Sequence, residues 1–216
     1  MAGKIANYFK SKSIKEIARD FFLSFVWLII LLFVIDLVSK WVVVNNMNVY
    51  TDITVIENFF YLRLSFNQGA AFGLGNTGDI EWRIFFIAVS AVIGTAMLVY
   101  YIKKYRTLSI VMKIAVAMMI AGAYGNLIDR ALYWPSTVGF SGVVDFLSFE
   151  FWGRRFATFN VADMSLVVGV IILLFAIVIE DIRIAKNKEG KEDLSKPSAE
   201  YLADKEKKHG GEDEKL

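Results

Sequence analysis

The sequence predicts an α-helical integral membrane protein: four transmembrane helices with a small extracytoplasmic β-cradle between the first and the second. Three observations lead there. The 216-residue chain is 56% hydrophobic and 15% aromatic, with a mean hydropathy of +0.48, more apolar than soluble domains, which sit near half apolar with a larger charged share. Four nearly uncharged stretches are each about 20 residues long, enough at about 1.5 Å per residue to cross a hydrocarbon core of roughly 30 Å. Lysine and arginine collect at alternate ends of those stretches, as the positive-inside rule requires.

Residues 1–20 carry Lys4, Lys10, Lys12, Lys15 and Arg19 against Glu16 and Asp20, a basic helical lead-in expected to lie in the cytoplasm. The first apolar run starts near Phe21 and continues to about Val44. It is too long for a signal-peptide h-region and lacks a clear small-residue cleavage site, so it reads as a retained first span. Within the insert 45–83, residues 50–56 and 59–66 are rich in β-branched and aromatic types and predict short strands parted by Glu57 and Asn58. Gly69, Gly73, Gly75 and Gly78 predict a turn region after them. Spans two and three are expected at Ile84–Ile102 and about Leu108–Leu127, separated by the basic Lys103, Lys104 and Arg106. A second insert, 128–158, precedes the fourth span at about Asn160–Ile179. The domain runs over 21–180, and the tail 181–216, dense in Lys, Glu and Asp, is expected to be disordered beyond its first turns.

Neither insert contains a lysine. Both termini are therefore expected on the cytoplasmic side and both inserts outside. Asp36, Lys40, Asn67, Asn126, Asp129, Arg130, Asp145, Asn160 and Asp163 then converge at the outer surface. There is no cysteine, and the single histidine is His209 in the tail. Zinc thiolates, cysteine nucleophiles and a Ser-His-Asp triad are thereby excluded, and acid–base chemistry falls to carboxylates, lysine or tyrosine. No metal and no organic cofactor is called for.

A carboxylate at membrane depth is costly unless paired or used, and marks a functional position. Asp163 stands three residues after Asn160 and so shares its helix face. Taken alone, the two read equally well as an N-cap and a dipole-pairing carboxylate. Asp145, in Gly142-Val143-Val144-Asp145-Phe146, reads alone as a loop residue in a turn. Two carboxylates that approach each other resist joint ionisation and can hold one proton across neutral pH, a state suited to peptide hydrolysis. Asp36 and Lys40, spaced i, i+4, and Asp129 suit ion pairs that pack helix on helix. Arg130 is a fork-shaped donor able to grip a carbonyl or phosphate. Asn67 stands beside the small Gly69 and Ala70, where a backbone can come close. The aromatics Phe59, Phe60, Tyr61, Phe66, Phe72 and Trp82 suit an interfacial belt.

On these residues the sequence resembles the lipoprotein signal peptidases, the bacterial signal peptidase II family. Asp36-Leu37-Val38-Ser39-Lys40 resembles the family's Asp-x-x-Ser-Lys block, Asn67 to Gly73 its Asn-x-Gly-Ala-Ala-Phe block, and Gly125 to Arg130 its Gly-Asn-x-x-Asp-Arg block. Val143-Val144-Asp145-Phe146 and Phe159-Asn160-Val161-Ala162-Asp163 resemble its two aspartate blocks. The five stand in the family's order over roughly residues 22–180. The resemblance implies an inner-membrane aspartic endopeptidase, without metal or cofactor, that cleaves diacylglyceryl-modified prolipoproteins just before the lipid-bearing cysteine. It implies Asp145 and Asp163 as the catalytic pair. Asn67, Gly69, Asn126, Arg130 and Asn160 are implied around the substrate, with Asp36, Lys40 and Asp129 in support. The expected partners are the prolipoprotein and membrane lipid, with no nucleic acid, and the expected state is a monomer. The insert around Tyr133 to Thr137, the basic arm and the long tail exceed the family's usual core. A proton-relaying transporter would place its polar groups at mid-membrane, whereas here they collect at one surface. A scaffold without chemistry remains the other alternative.

Overall fold

A computed structural model describes residues 12–49, 51–69, 80–132 and 142–195. The chain divides into two compact units, Met1–Leu173 and Leu174–Leu216. A short helix α1 (Ile14–Leu23) is followed by α2 (Val26–Asn46), strands β1 (Asp52–Ile56) and β2 (Phe60–Asn67), and helices α3 (Ile80–Lys104) and α4 (Ile110–Leu132). Strands β3 (Val143–Phe151) and β4 (Arg154–Arg155) then lead into α5 (Val161–Ser195). The first unit holds everything up to Leu173, within α5. In the second, the described residues continue that helix from Leu174 to Ser195. The glycines 73, 75 and 78, the segment Tyr133–Thr137, the basic residues Lys4 and Lys10 and the tail beyond 195 lie outside the described residues.

Among the described residues four helices are long and apolar enough to cross a membrane: Val26–Asn46, Glu81–Lys104, Ile110–Leu132 and Val161–Lys188. The third is the least apolar, with a mean hydropathy of 1.6 against 2.1 to 2.8 for the others, yet it is the most buried. Its small residues explain the inversion. Ala115, Ala117, Ala121, Gly122, Ala123 and Gly125 are all buried, so neighbouring backbones come close, as small side chains allow between membrane helices. At Gly122 an added Cβ would stand 2.3 Å from the Ala162 carbonyl oxygen, and at Gly125 2.6 Å from Asp36 Oδ2. The other spans show broad apolar faces, with Ile30, Val34, Trp41, Ile84 and Val92 exposed, a surface that suits lipid rather than water.

The sheet order is β1-β2-β3-β4, antiparallel throughout. The two strands expected in the first insert are present. The second insert, read from sequence as connecting chain, extends the sheet with β3 and β4, so Asp145 lies in a strand and not in a turn. Alternation sends Val144 and Phe146 into an apolar core with Val43 and Leu64, leaving Asp145 on the opposite face. A two-residue turn at Trp152 and Gly153, both at positive φ, reverses the chain after β3. The chain then runs back along β3, with Phe159 N–H donating to the Leu147 carbonyl (3.0 Å) and Leu147 N–H to that of Phe159 (2.8 Å). This return delivers Asn160 and the first turn of α5 to Asp145.

Three helix ends differ from expectation. The first span begins at Val26 rather than Phe21, because Phe25 takes a left-handed conformation (φ 54) that breaks the helix after Ser24. The second begins at Ile80, placing Trp82 and Arg83 on the helix. The third continues past Leu127 to Leu132, placing Asp129 and Arg130 on its last turns. Part of the expected aromatic belt is packed within the sheet: Phe60 stacks on Phe149 at 4.8 Å, and Phe59 meets Phe149 and Phe151 edge-on.

The α4–α5 contact gives a direct test. Gly122→Ala forces a side chain against a backbone oxygen and should destabilise by about 1–3 kcal/mol, read as a lower thermal unfolding midpoint in detergent. Gly94→Ala, whose Cβ would meet Ala123 Cβ at an ordinary 3.5 Å, should be neutral or slightly stabilising.

Candidate active site

Lys40 lies in the last turns of α2 and is fully buried. An ammonium in that position needs acceptors for its three N–H bonds. It has Asp36 Oδ2 at 2.7 Å, Asp129 Oδ2 at 2.9 Å and Asn126 Oδ1 at 3.4 Å. Both carboxylates are equally buried, and each also accepts a backbone N–H from another element. Asp36 Oδ1 takes that of Ala162 at 2.8 Å, and Asp129 Oδ2 that of Val144 at 3.1 Å. Ala162 immediately precedes Asp163, and Val144 immediately precedes Asp145. The i, i+4 pair read from the sequence, together with Asp129, thus ties down the two segments that carry the two aspartates.

Asn160 joins those segments. Its side-chain N–H groups donate to Asp145 Oδ1 (2.7 Å) and Asn126 Oδ1 (3.1 Å), and its side-chain oxygen accepts from the Asp163 N–H (2.9 Å). Its own backbone N–H donates to Asp163 Oδ2 (3.2 Å). Asn160 and Asp163 therefore form a reciprocal cap, with Asp where a capping box carries Glu. Asp163 Oδ1 accepts from Asn126 Nδ2 at 2.7 Å. Asp145 Oδ2 accepts from Asn67 Nδ2 at 3.2 Å. The strand register accounts for that bond: Asn67 pairs with Val143, whose side chain shares the face of Asp145 two residues on.

Asp145 is 2% exposed. Burial pushes its carboxyl up to about 7, helped by the negative charge of Asp163 and opposed by the amides of Asn67 and Asn160 and by Lys40. A buried carboxyl with a second carboxylate close by is a protonatable pair at neutral pH.

The structure brings Asp36, Lys40, Asn67, Asn126, Asp129, Asp145, Asn160 and Asp163 into one connected network. Gly69 and Arg130 stand beside it. Gly69 N–H donates to Asn67 Oδ1 (3.1 Å), and Arg130 reaches the Gly69 carbonyl (3.4 Å) and Ser90 Oγ (3.5 Å) while lying over the Phe86 ring. Arg83 is a residue that sequence reasoning missed. It donates from α3 to the Arg130 and Ala131 carbonyls at 3.0 and 3.3 Å, closing the C-terminal end of α4. Its position as the charge at the entrance of the second span was a signal, but its partner was not legible.

A family profile described as signal peptidase (SPase) II matches residues 28–179. A lipoprotein signal peptidase from Symbiobacterium thermophilum is 36% identical over 146 residues, covering 68% of this chain and 88% of that protein. Two solved structures described as a bacterial membrane enzyme, obtained by the in meso method, are similar in fold. One has a TM-score of 0.59 at 31% identity, covering 72% of this chain and 88% of the other. The second has 0.57 at 30%, covering 70% and 91%.

Lys40→Met leaves Asp36 and Asp129 buried without their cation, and should cost about 3–5 kcal/mol, read as loss of the folded fraction in thermal unfolding. Asp52→Ala, which removes an exposed partner of Arg63 and Arg155, should leave the midpoint almost unchanged.

Proposed function

The chain belongs to the signal peptidase II family, and we propose that it removes lipoprotein signal peptides as an aspartic endopeptidase with Asp145 and Asp163 as its catalytic pair. The observation that carries the aspartic reading is the buried Asp145 carboxyl, raised to about 7 and tied through Asn160 to Asp163.

In the proposed mechanism the pair holds one proton, kept on Asp145 by its burial. Asp163 is the ionised partner, its oxygens facing the Asn126 amide and the Asn160 N–H. Asp163 takes a proton from a water molecule, and the water oxygen attacks the scissile carbonyl carbon. Asp145 donates its hydrogen bond to the carbonyl oxygen as negative charge develops there. The tetrahedral adduct collapses as Asp163 returns its proton to the leaving amine, and the C–N bond breaks. The pair ends with one proton, as it began. Asn67, Asn126 and Asn160 hold the carboxylates in place. Arg130 holds the Gly69 carbonyl and thereby the turn that carries Asn67.

The substrate proposed is a diacylglyceryl-modified prolipoprotein, cut just before its lipid-bearing cysteine. Such a substrate keeps its acyl chains in the bilayer while its backbone must meet water. A carboxylate pair on strand β3 and at the start of the fourth span meets both demands. The protein is a multi-pass protein of the bacterial inner membrane. The lysine and arginine distribution favours an orientation with both termini in the cytoplasm and the pair at the outer face. A monomer is the proposed working state.

Cleavage of a diacylated prolipoprotein peptide by purified protein tests the assignment. Asp145→Asn and Asp163→Asn should each lower kcat by at least about 10³-fold with folding intact, and the double variant should be little worse than either, because residues acting as one unit are not additive. Near-normal turnover by either single variant would move the assignment to another pair.

A further inference from the structure

Helix α3 supplies none of the residues described in the network around Asp145, yet it meets α4 through more than apolar packing. Arg83, Phe86 and Ser90 stand at i, i+3 and i+7 and so share one face, while Ile84, Phe85 and Val92 are exposed elsewhere on the helix. That face converges on Arg130, in the last turn of α4. The last four carbonyls of an α-helix have no partner within it. Arg83 supplies donors for two of them, Nε to the Arg130 carbonyl at 3.0 Å and Nη2 to that of Ala131 at 3.3 Å. Its positive charge also suits the negative end of the helix dipole.

Arg83 thus fixes the backbone from which the Arg130 side chain starts, and the other two residues set its course. The Arg130 guanidinium lies over the Phe86 ring, 5.7 Å from its centroid, within cation–π range. That ring is buried and stacks on Trp82 at 5.8 Å. One arm of the guanidinium points to Ser90 Oγ at 3.5 Å and the other to the Gly69 carbonyl at 3.4 Å. Both contacts are long, so the aim of Arg130 depends on the ring beneath it and the backbone behind it. Beyond Arg130 the contacts continue: Gly69 N–H donates to Asn67 Oδ1, and Asn67 Nδ2 to Asp145 Oδ2.

We propose that Arg83, Phe86 and Ser90 are positioning residues that aim Arg130, and through it the Gly69 turn and Asn67, at the Asp145–Asp163 pair. Resting on the aspartic peptidase reading above, this gives α3 a part in the reaction, exerted through Arg130 and not on the reacting atoms. A chemical consequence follows. The Asn67 amide favours the ionised form of Asp145, and so does the charge of Arg130. Loosening Arg130 weakens both, and Asp145 then keeps its proton to higher pH. The charged groups that face Asp145 are Asp163 on α5, Lys40 on α2 and Arg130 on α4, and substitutions on α3 change the identity of none of them.

The test is the pH profile of cleavage of a diacylated prolipoprotein peptide by full-length protein in detergent, with folding followed by thermal unfolding. Arg83→Gln should lower kcat between about tenfold and 100-fold, and should move the fall in rate on the alkaline side upward by about half a unit to one unit. Arg83→Lys, which keeps the charge at the helix end, should recover part of both effects. Ser90→Ala, a small change that leaves the fold intact, should move the limb in the same direction by less. In an Arg130→Lys background, Arg83→Gln should lower kcat by less than about twofold more, because the two residues act in series. A lower folded fraction scales the rate equally at every pH, so a loss of activity with the limb in place would overturn the proposal. Normal turnover by Arg83→Gln, or additive losses with Arg130→Lys, would do the same. Asp145→Asn in the same assay separates the two levels. If it is inactive while Arg83→Gln behaves as wild type, only the positioning role falls; if it cleaves normally, the aspartic reading falls and this proposal with it.

Discussion

The buried Lys40 ammonium is the constraint around which the site is built. A lone ammonium so far from water would be strongly destabilising, and its three acceptors come from α2 and α4. The carboxylates that neutralise it also accept the backbone N–H groups of Ala162 and Val144. One charge thus fixes, in a single network, the first span, the third span, strand β3 and the first turn of the fourth helix. Close packing of α4 is part of the same device: Gly125 leaves room for Asp36 Oδ2, and Gly122 leaves room for the Ala162 carbonyl.

Two aspartates are thereby set in different surroundings. Asp163 opens a helix, where the dipole favours negative charge, and it receives an amide and a backbone N–H. Asp145 stands on a buried strand face, where desolvation favours the protonated form. Burial raises Asp145 toward neutral pH, which suits it to the acid's part in the proposed mechanism. Asn160 is the hinge of the arrangement, since both of its side-chain protons, its side-chain oxygen and its backbone N–H are engaged at once.

Much of this was legible in the sequence because hydropathy and charge are local signals. The four spans, the strands of the first insert and the clustering of Asp36, Lys40, Asn126, Asp129, Asp145, Asn160 and Asp163 at one end all follow from them. Pairing between distant segments is not local. Asp145 read as a turn residue because its strand partner Ser65 and its side-chain partner Asn67 stand some 80 residues earlier. The break after Ser24 has no glycine or proline to announce it; it rests on Phe25 in a left-handed conformation and on the Tyr101 hydroxyl from another helix. The Arg83 clasp on the end of α4 was hidden for the same reason.

The central claim is that peptide hydrolysis depends on a proton held by Asp145 next to an ionised Asp163. The pH dependence of kcat/KM for a diacylated prolipoprotein peptide tests it most directly. The raised carboxyl is protonated below about 7 and loses its proton as pH rises through that value, so the rate should fall about tenfold for each further pH unit above it. A rate that stays flat or climbs from about pH 6 to pH 9, with the protein still folded, would contradict the account.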